Sequence, residues 1–228
     1  FRTEAAERPL EFWHYVEDAG FVLQPGTCLI KALISATQPE ATGKLYDFSC
    51  YRASEYVILL GLAQEAEIHH PALFKALQQL NEVHAVRSAQ FHDVFLHEYG
   101  SLEAPLPAQF FVPGDRLWFR NPDEPSSDVT GYEGSWVIYM GGGYFSNFWK
   151  RDQPFTLQHK CVEIYHWRDG LSINPQGETW IDESIVEARV QQTMQDPQAL
   201  QKVLNRMLRM RDGKGIYADG GCLDASRE

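Results

Sequence analysis

The chain has 228 residues, of which 44% are hydrophobic, and carries a formal net charge of −11. That excess of acid disfavours non-specific binding to nucleic acid or to an anionic membrane, and no apolar run reaches the roughly 18 residues that a membrane span needs. The four cysteines (Cys28, Cys50, Cys161 and Cys222) show no CxxC spacing, so no metal site or cofactor is expected, and thiols are favoured over disulfides in a chain of this size.

Leu10, Trp13 and Val16 recur at helical spacing and predict an amphipathic helix over Glu4 to Ala19, ended by Gly20. A short helical run follows from Cys28 to Thr37. Ser49 to about Glu65 is the most apolar helical pattern. Pro71 suits the first turn of the next helix, in which Leu73, Leu77 and Leu80 repeat to about Val83. A further helix is expected over roughly Val86 to Tyr99.

The texture then changes. Strand-type runs cover Arg116 to Arg120, Ser135 to Met140, Tyr144 to Trp149 and Lys160 to Trp167. Gly141-Gly142-Gly143 joins the second run to the third as a tight turn. Asn121 to Gly134 reads as a polar surface loop. Asp182 to Met210 is a long helical pattern interrupted by Pro197, and Gly213 to Glu228 reads as a frayed tail. Helices first and an antiparallel sheet second define an α+β fold. One catalytic domain is expected over 1–228, with a helical N-terminal extension at 1–44, a core at 45–170 and a C-terminal helix at 182–212.

Cys50 stands where a polar turn, Asp47-Phe48-Ser49, gives way to an apolar helix. The start of a helix carries partial positive charge, which favours thiolate over thiol, and thiolate is the nucleophile. A cysteine on a core helix, followed by a small antiparallel sheet carrying polar partners, resembles the papain-like plan.

Two sets of strings carry a resemblance. Val112-Pro113-Gly114-Asp115-Arg116-Leu117-Trp118-Phe119 and Ser135-Trp136-Val137-Ile138-Tyr139-Met140-Gly141 resemble the sheet segments of NlpC-type cell-wall cysteine peptidases, whose general-base histidine falls at Ser135. A second family fits better. Leu45-Tyr46-Asp47-Phe48-Ser49-Cys50, then Gly114-Asp115-Arg116-Leu117-Trp118-Phe119-Arg120-Asn121-Pro122, Tyr132-Glu133-Gly134-Ser135-Trp136-Val137-Ile138 and Tyr144-Phe145-Ser146-Asn147 are similar, in order and spacing, to motifs of the bacterial spore-coat transglutaminases.

That resemblance implies a papain-like (NlpC-type) core, its nucleophile helix packed on a small antiparallel sheet, with extra N- and C-terminal helices. It implies Cys50 as the nucleophile. The family's main glutamate falls at Ser135, its secondary glutamate at Ser49 and its later histidine at Asn147. A replacement acid–base group is sought first in Glu133, two residues before Ser135 and on the same strand face. Asp47, three residues before Cys50, comes next, then a histidine from elsewhere. Asn147 could orient a partner or donate to an oxyanion.

The activity implied is protein-glutamine gamma-glutamyl transfer, forming Gln–Lys isopeptide cross-links through a Cys50 thioester. Two alternatives share the scaffold: a glutamine deamidase, and an NlpC-type peptidase or amidase whose base would be His166 or His159. A third reading is a binding domain that has lost its base at Ser135. The expected partners are proteins with accessible Gln and Lys, with no nucleic acid and no membrane span. A start at Phe1 rather than Met suits the toxin module of a larger secreted bacterial protein, delivered into a target cell and matched by an immunity protein.

Overall fold

The computed structural model describes residues 7–99, 108–150, 152–207 and 223–224. Its elements make an α+β fold of two compact units, 1–96 and 97–228.

The first unit opens with a β-hairpin, β1 (Trp13–Val16) and β2 (Gly20–Leu23), where a helix was expected. The correction has a plain cause. Trp13 pairs with Leu23 and Tyr15 with Phe21, and Trp13, Tyr15, Val16, Phe21 and Val22 are aromatic or β-branched types suited to strands. The turn needs left-handed backbone, which Asp18 (φ 61°) and Gly20 (φ 106°) supply. Leu10, counted toward the helical stripe, is 79% exposed.

Helix α1 (Leu29–Thr37) follows, its start fastened by Gln78, whose Oε1 accepts from the Leu29 N–H at 2.8 Å. A single turn, α2 (Pro39–Thr42), leads to α3 (Cys50–His69), which is longer than the sequence pattern suggested. Ala53, Tyr56, Leu60 and Ala63 keep helical spacing along its buried side. Helices α4 (Pro71–Val83) and α5 (Ser88–Phe95) complete the unit. Trp13, Leu23, Leu33, Tyr56, Leu59 and Phe91 belong to one buried cluster, so the hairpin and four helices share a core.

The second unit is built on an antiparallel sheet. Strands β3 (Arg116–Arg120) and β4 (Gly134–Gly141) pair with Phe119 opposite Ser135. Between them lies the short helix α6 (Glu124–Ser127). Short strands β5 (Tyr144–Phe145) and β6 (Phe155–Thr156) extend the sheet beside β4. The strand expected from Tyr144 therefore stops at Phe145. Two later residues, β9 (Leu223–Asp224), add to the other edge of β3.

Lys160 to Trp167, expected as a strand, is helical: it lies in α7 (Leu157–Gly170), capped by Thr156, whose side chain accepts from the His159 N–H at 3.2 Å. Lys160, Cys161, Val162, Ile164, His166 and Trp167 are all buried, so this helix is wrapped on most sides. A helix surrounded by protein has no polar face and shows no amphipathic stripe. A small hairpin, β7 (Leu171–Ile173) and β8 (Thr179–Ile181), leads to α8 (Glu183–Gln195) and α9 (Pro197–Met207). The break at Pro197 falls where the sequence placed it. Cys222 and most of the predicted tail lie outside the described residues.

Gly134 is required by its neighbours. A Cβ there would sit 2.5 Å from the Phe119 carbonyl oxygen and against the Trp118 ring. Gly134→Ala should therefore lower unfolding stability by about 1–3 kcal/mol. Thermal or urea denaturation at wild-type stability would contradict this packing.

Candidate active site

Cys50 occupies the first position of α3, half-buried. Ser49 caps that helix, its hydroxyl accepting from the Arg52 N–H at 3.2 Å. The helix dipole therefore has its positive end at the sulfur-bearing residue. Among the described residues Cys28, Cys50 and Cys161 form no disulfide.

The approach to Cys50 is held by a residue that the sequence did not single out. Arg8 is 6% exposed, lies 3.5 Å above the Phe48 ring, and donates to the Asp47 carbonyl at 3.1 Å. Burial lowers the Arg8 pKa from its ordinary value, while Tyr56 and, less strongly, the Asp47 charge support the cation. A cation held between aromatic rings and a backbone carbonyl fixes the segment that leads into the helix. Nothing in a presumed helix of residues 4–19 signalled this role.

Arg52, also in the first turn, pairs with Glu55 at 2.6 Å and donates to the Val86 carbonyl. The Glu55 side chain is fully buried. The start of α3 is thus tied both to its own second turn and to the segment before α5. Asp47 is half-buried in the same unit as Cys50.

The remaining sequence candidates belong to the second unit. Glu133 is exposed, immediately before β4, and its Oε2 accepts from the Gly131 N–H at 3.0 Å. Ser135 is 2% exposed, and among the described residues its hydroxyl has no hydrogen-bond partner. Its pairing with Phe119 puts it on the face of Leu117 and Val137, which belong to the core cluster that also includes α7 residues. Asn147 is committed to its own loop. Its Oδ1 accepts from the Trp149 and Lys150 N–H groups at 3.0 and 2.9 Å, and its Nδ2 donates to the Gln153 carbonyl at 3.0 Å.

Near these residues Tyr132 donates to Glu183, and Lys150 pairs with Glu187. Burial first, then the Glu183 carboxylate, hold the Tyr132 phenol protonated well above its ordinary range. The Glu187 carboxylate raises the Lys150 pKa.

His166 is not placed as a base. Its Nδ1 lies 2.5 Å from Asp169 Oδ2 and its Nε2 lies 2.8 Å from the Thr193 hydroxyl, with the residue 7% exposed. Both ring nitrogens are engaged, Nδ1 within α7 and Nε2 in joining α7 to α8. His159 is exposed on the first turn of α7. Of the expected aromatic cluster, Phe145 is core, packed edge-on against Phe119, while Tyr144 and Trp149 are exposed.

Among the described residues no group of three or more His, Cys, Asp or Glu could hold a metal ion. Among them also, no helix is long and apolar enough to cross a membrane.

The sequence profile of the protein-glutamine gamma-glutamyltransferases matches residues 1–214. No curated protein sequence matches the chain significantly. Among solved structures, the chain is similar to a transglutaminase from Geobacillus stearothermophilus (without its C-terminal extension). The two are 18% identical over 83% of this chain and 82% of that chain, with a TM-score of 0.44.

Proposed function

Because the chain belongs to the protein-glutamine gamma-glutamyltransferase family, and so is an acyltransferase with a cysteine nucleophile, we propose that Cys50 is that nucleophile and that the product is a Gln–Lys isopeptide bond between proteins. The observation that carries this reading is the place of Cys50 at the capped start of α3.

The chemistry follows in balanced steps. The Cys50 thiolate attacks the side-chain amide carbon of a glutamine. Charge develops on the amide oxygen, and the positive end of the helix dipole stabilises it. The C–N bond breaks, a protonated acid supplies the proton that ammonia carries away, and a thioester remains. A lysine amine then attacks the same carbon and gives its proton to the now ionised carboxylate. The C–S bond breaks and the isopeptide bond forms. One carboxyl group serves as acid and then as base. Attack by water in place of amine would give glutamate, which is the deamidase outcome.

The carboxylate assigned this work is Glu133, which is open to solvent and has one backbone partner at a single oxygen. Asp47, with Arg8 alongside its charge, is the alternative. Glu133→Gln should lower the turnover of amine incorporation by about 10²- to 10⁴-fold, with little change for Asp47→Asn. The reverse pattern would move the role to Asp47. The papain-like core and the single catalytic domain over 1–228 belong to the same proposal.

The peptidase alternative loses its first base, since both ring nitrogens of His166 are occupied. We extend the proposal to the setting: a toxin module of a larger secreted bacterial protein, countered by an immunity protein. Expression of the chain in a bacterial cytoplasm should then cross-link host proteins and stop growth, and Cys50→Ala should do neither. Normal growth with active enzyme present would end that part.

A further inference from the structure

Asn121 follows β3 directly and is only 5% exposed, and the acyl-transfer steps leave it unused. A buried amide needs partners for its polar atoms, and Asn121 finds several in the segment that carries Glu133. Its backbone N–H donates to the Glu133 carbonyl at 2.9 Å, one step past the Arg120–Gly134 pair of the β3–β4 ladder. Its Nδ2 donates to the Tyr132 carbonyl and to the Ser126 hydroxyl, each at 2.9 Å, and its Oδ1 accepts from the Asp123 N–H at 3.0 Å.

The Tyr132 and Glu133 carbonyls belong to the two planar peptide groups that flank the Glu133 Cα. One residue therefore holds the backbone on both sides of that carboxylate. The Gly131 N–H then holds Oε2, and Tyr132 sits edge-on against Trp167 of α7, with ring centroids 5.2 Å apart. The anchoring matters because Glu133 is exposed. An exposed glutamate samples many rotamers, whereas proton transfer needs the carboxyl group within hydrogen-bond reach of the reacting atoms.

We propose that Asn121 is a positioning residue for acyl transfer. It fixes the two peptide groups around Glu133, and through them the place of the carboxyl group that gives a proton to departing ammonia and takes one from the incoming amine. The inference rests on the assignment of that work to Glu133, and Asn121 acts only through it.

The test compares amine incorporation into a glutamine acceptor by Asn121→Ala, Ser126→Ala, Glu133→Gln and the double variant of Asn121→Ala with Glu133→Gln, each shown by its melting curve to be folded at the assay temperature. Asn121→Ala should lower kcat about 10- to 100-fold, the scale on which a misplaced catalytic group costs turnover, with the KM for the acceptor unchanged. Ser126→Ala breaks the same buried network without touching the Tyr132 or Glu133 carbonyl, and should keep a wild-type kcat. In the Glu133→Gln background Asn121→Ala should cost nothing further, because the two residues act as one unit. Where the alanine variant does not fold, Asn121→Asp, which has the same shape and keeps Oδ1, takes its place in every arm. Full kcat without the Asn121 amide, an equal loss in Ser126→Ala, or an additive loss in the double variant would each overturn the inference. Full kcat in Glu133→Gln would instead remove the acid–base assignment, and this inference with it.

Discussion

Cys50→Ala is expected to abolish both incorporation of a fluorescent amine into a glutamine-rich acceptor protein and the accompanying release of ammonia, by at least about a thousandfold. Alanine has no group that can form the acyl intermediate, so the loss concerns turnover and not acceptor binding. The substitution is also gentle on the fold. Cys50 is half-buried at the first helical position, where alanine is a good helix former, and the Ser49 cap does not depend on the sulfur. A circular dichroism spectrum and melting curve like those of the wild type should accompany the inactive variant. Ammonia release without amine incorporation by the wild type would identify a deamidase. Full activity in Cys50→Ala would remove Cys50 from the mechanism.

The second large effect concerns the scaffold of that cysteine. Trp13 is 1% exposed, stacks on Tyr56 of α3 with ring centroids 5.4 Å apart, and donates from its indole N–H to the Ala32 carbonyl at 3.1 Å. It therefore joins the N-terminal hairpin to α1 and α3 together. Replacing a buried tryptophan by alanine costs about 3–5 kcal/mol, against a total of about 5–15 kcal/mol for a typical domain. Trp13→Ala should thus unfold at a much lower urea concentration than the wild type. Trp13→Phe, which keeps a ring against Tyr56, should lose substantially less. A Trp13→Ala variant within about 1 kcal/mol of wild type would mean that the hairpin contributes little to holding α3.

How far these features could be read in advance depended on local signals. Ser49 before an apolar run, Pro71 at a first turn, and Asp182 with Pro197 each announce a helix boundary through capping or a missing N–H, and α3, α4, α8 and α9 begin there. The three glycines at 141–143 all take positive φ, so the turn after β4 was legible as well. The two misread elements failed for opposite reasons. The hairpin at residues 13–23 happened to carry apolar residues at helical spacing, and its decisive signal, left-handed backbone at Asp18 and Gly20, is weak in a sequence. Helix α7 is enclosed, so its burial left no helical period to detect, and Lys160 to Trp167 passed for a strand.

The site divides in the same way. The place of Cys50 at the start of α3 was legible because a helix start leaves a local mark. Arg8 was not, because its value lies in a contact with Phe48 and Asp47 some 39 residues along the chain. Asn147 and His166 looked available as isolated polar side chains. The loop bonds of Asn147, and the bond from His166 across to Thr193 of α8, are products of folding that no spacing rule reveals.

Acid-quenched peptide mapping asks most directly whether the sulfur at the mouth of α3 carries the acyl group. The wild-type chain is mixed with a glutamine peptide in the absence of amine, quenched and digested. The account predicts the peptide joined to Cys50 with loss of ammonia, and release of that adduct when a primary amine is added before the quench. Cross-linking activity with the acyl group mapped to Cys28 or Cys161, or with no thioester on any cysteine, would contradict it.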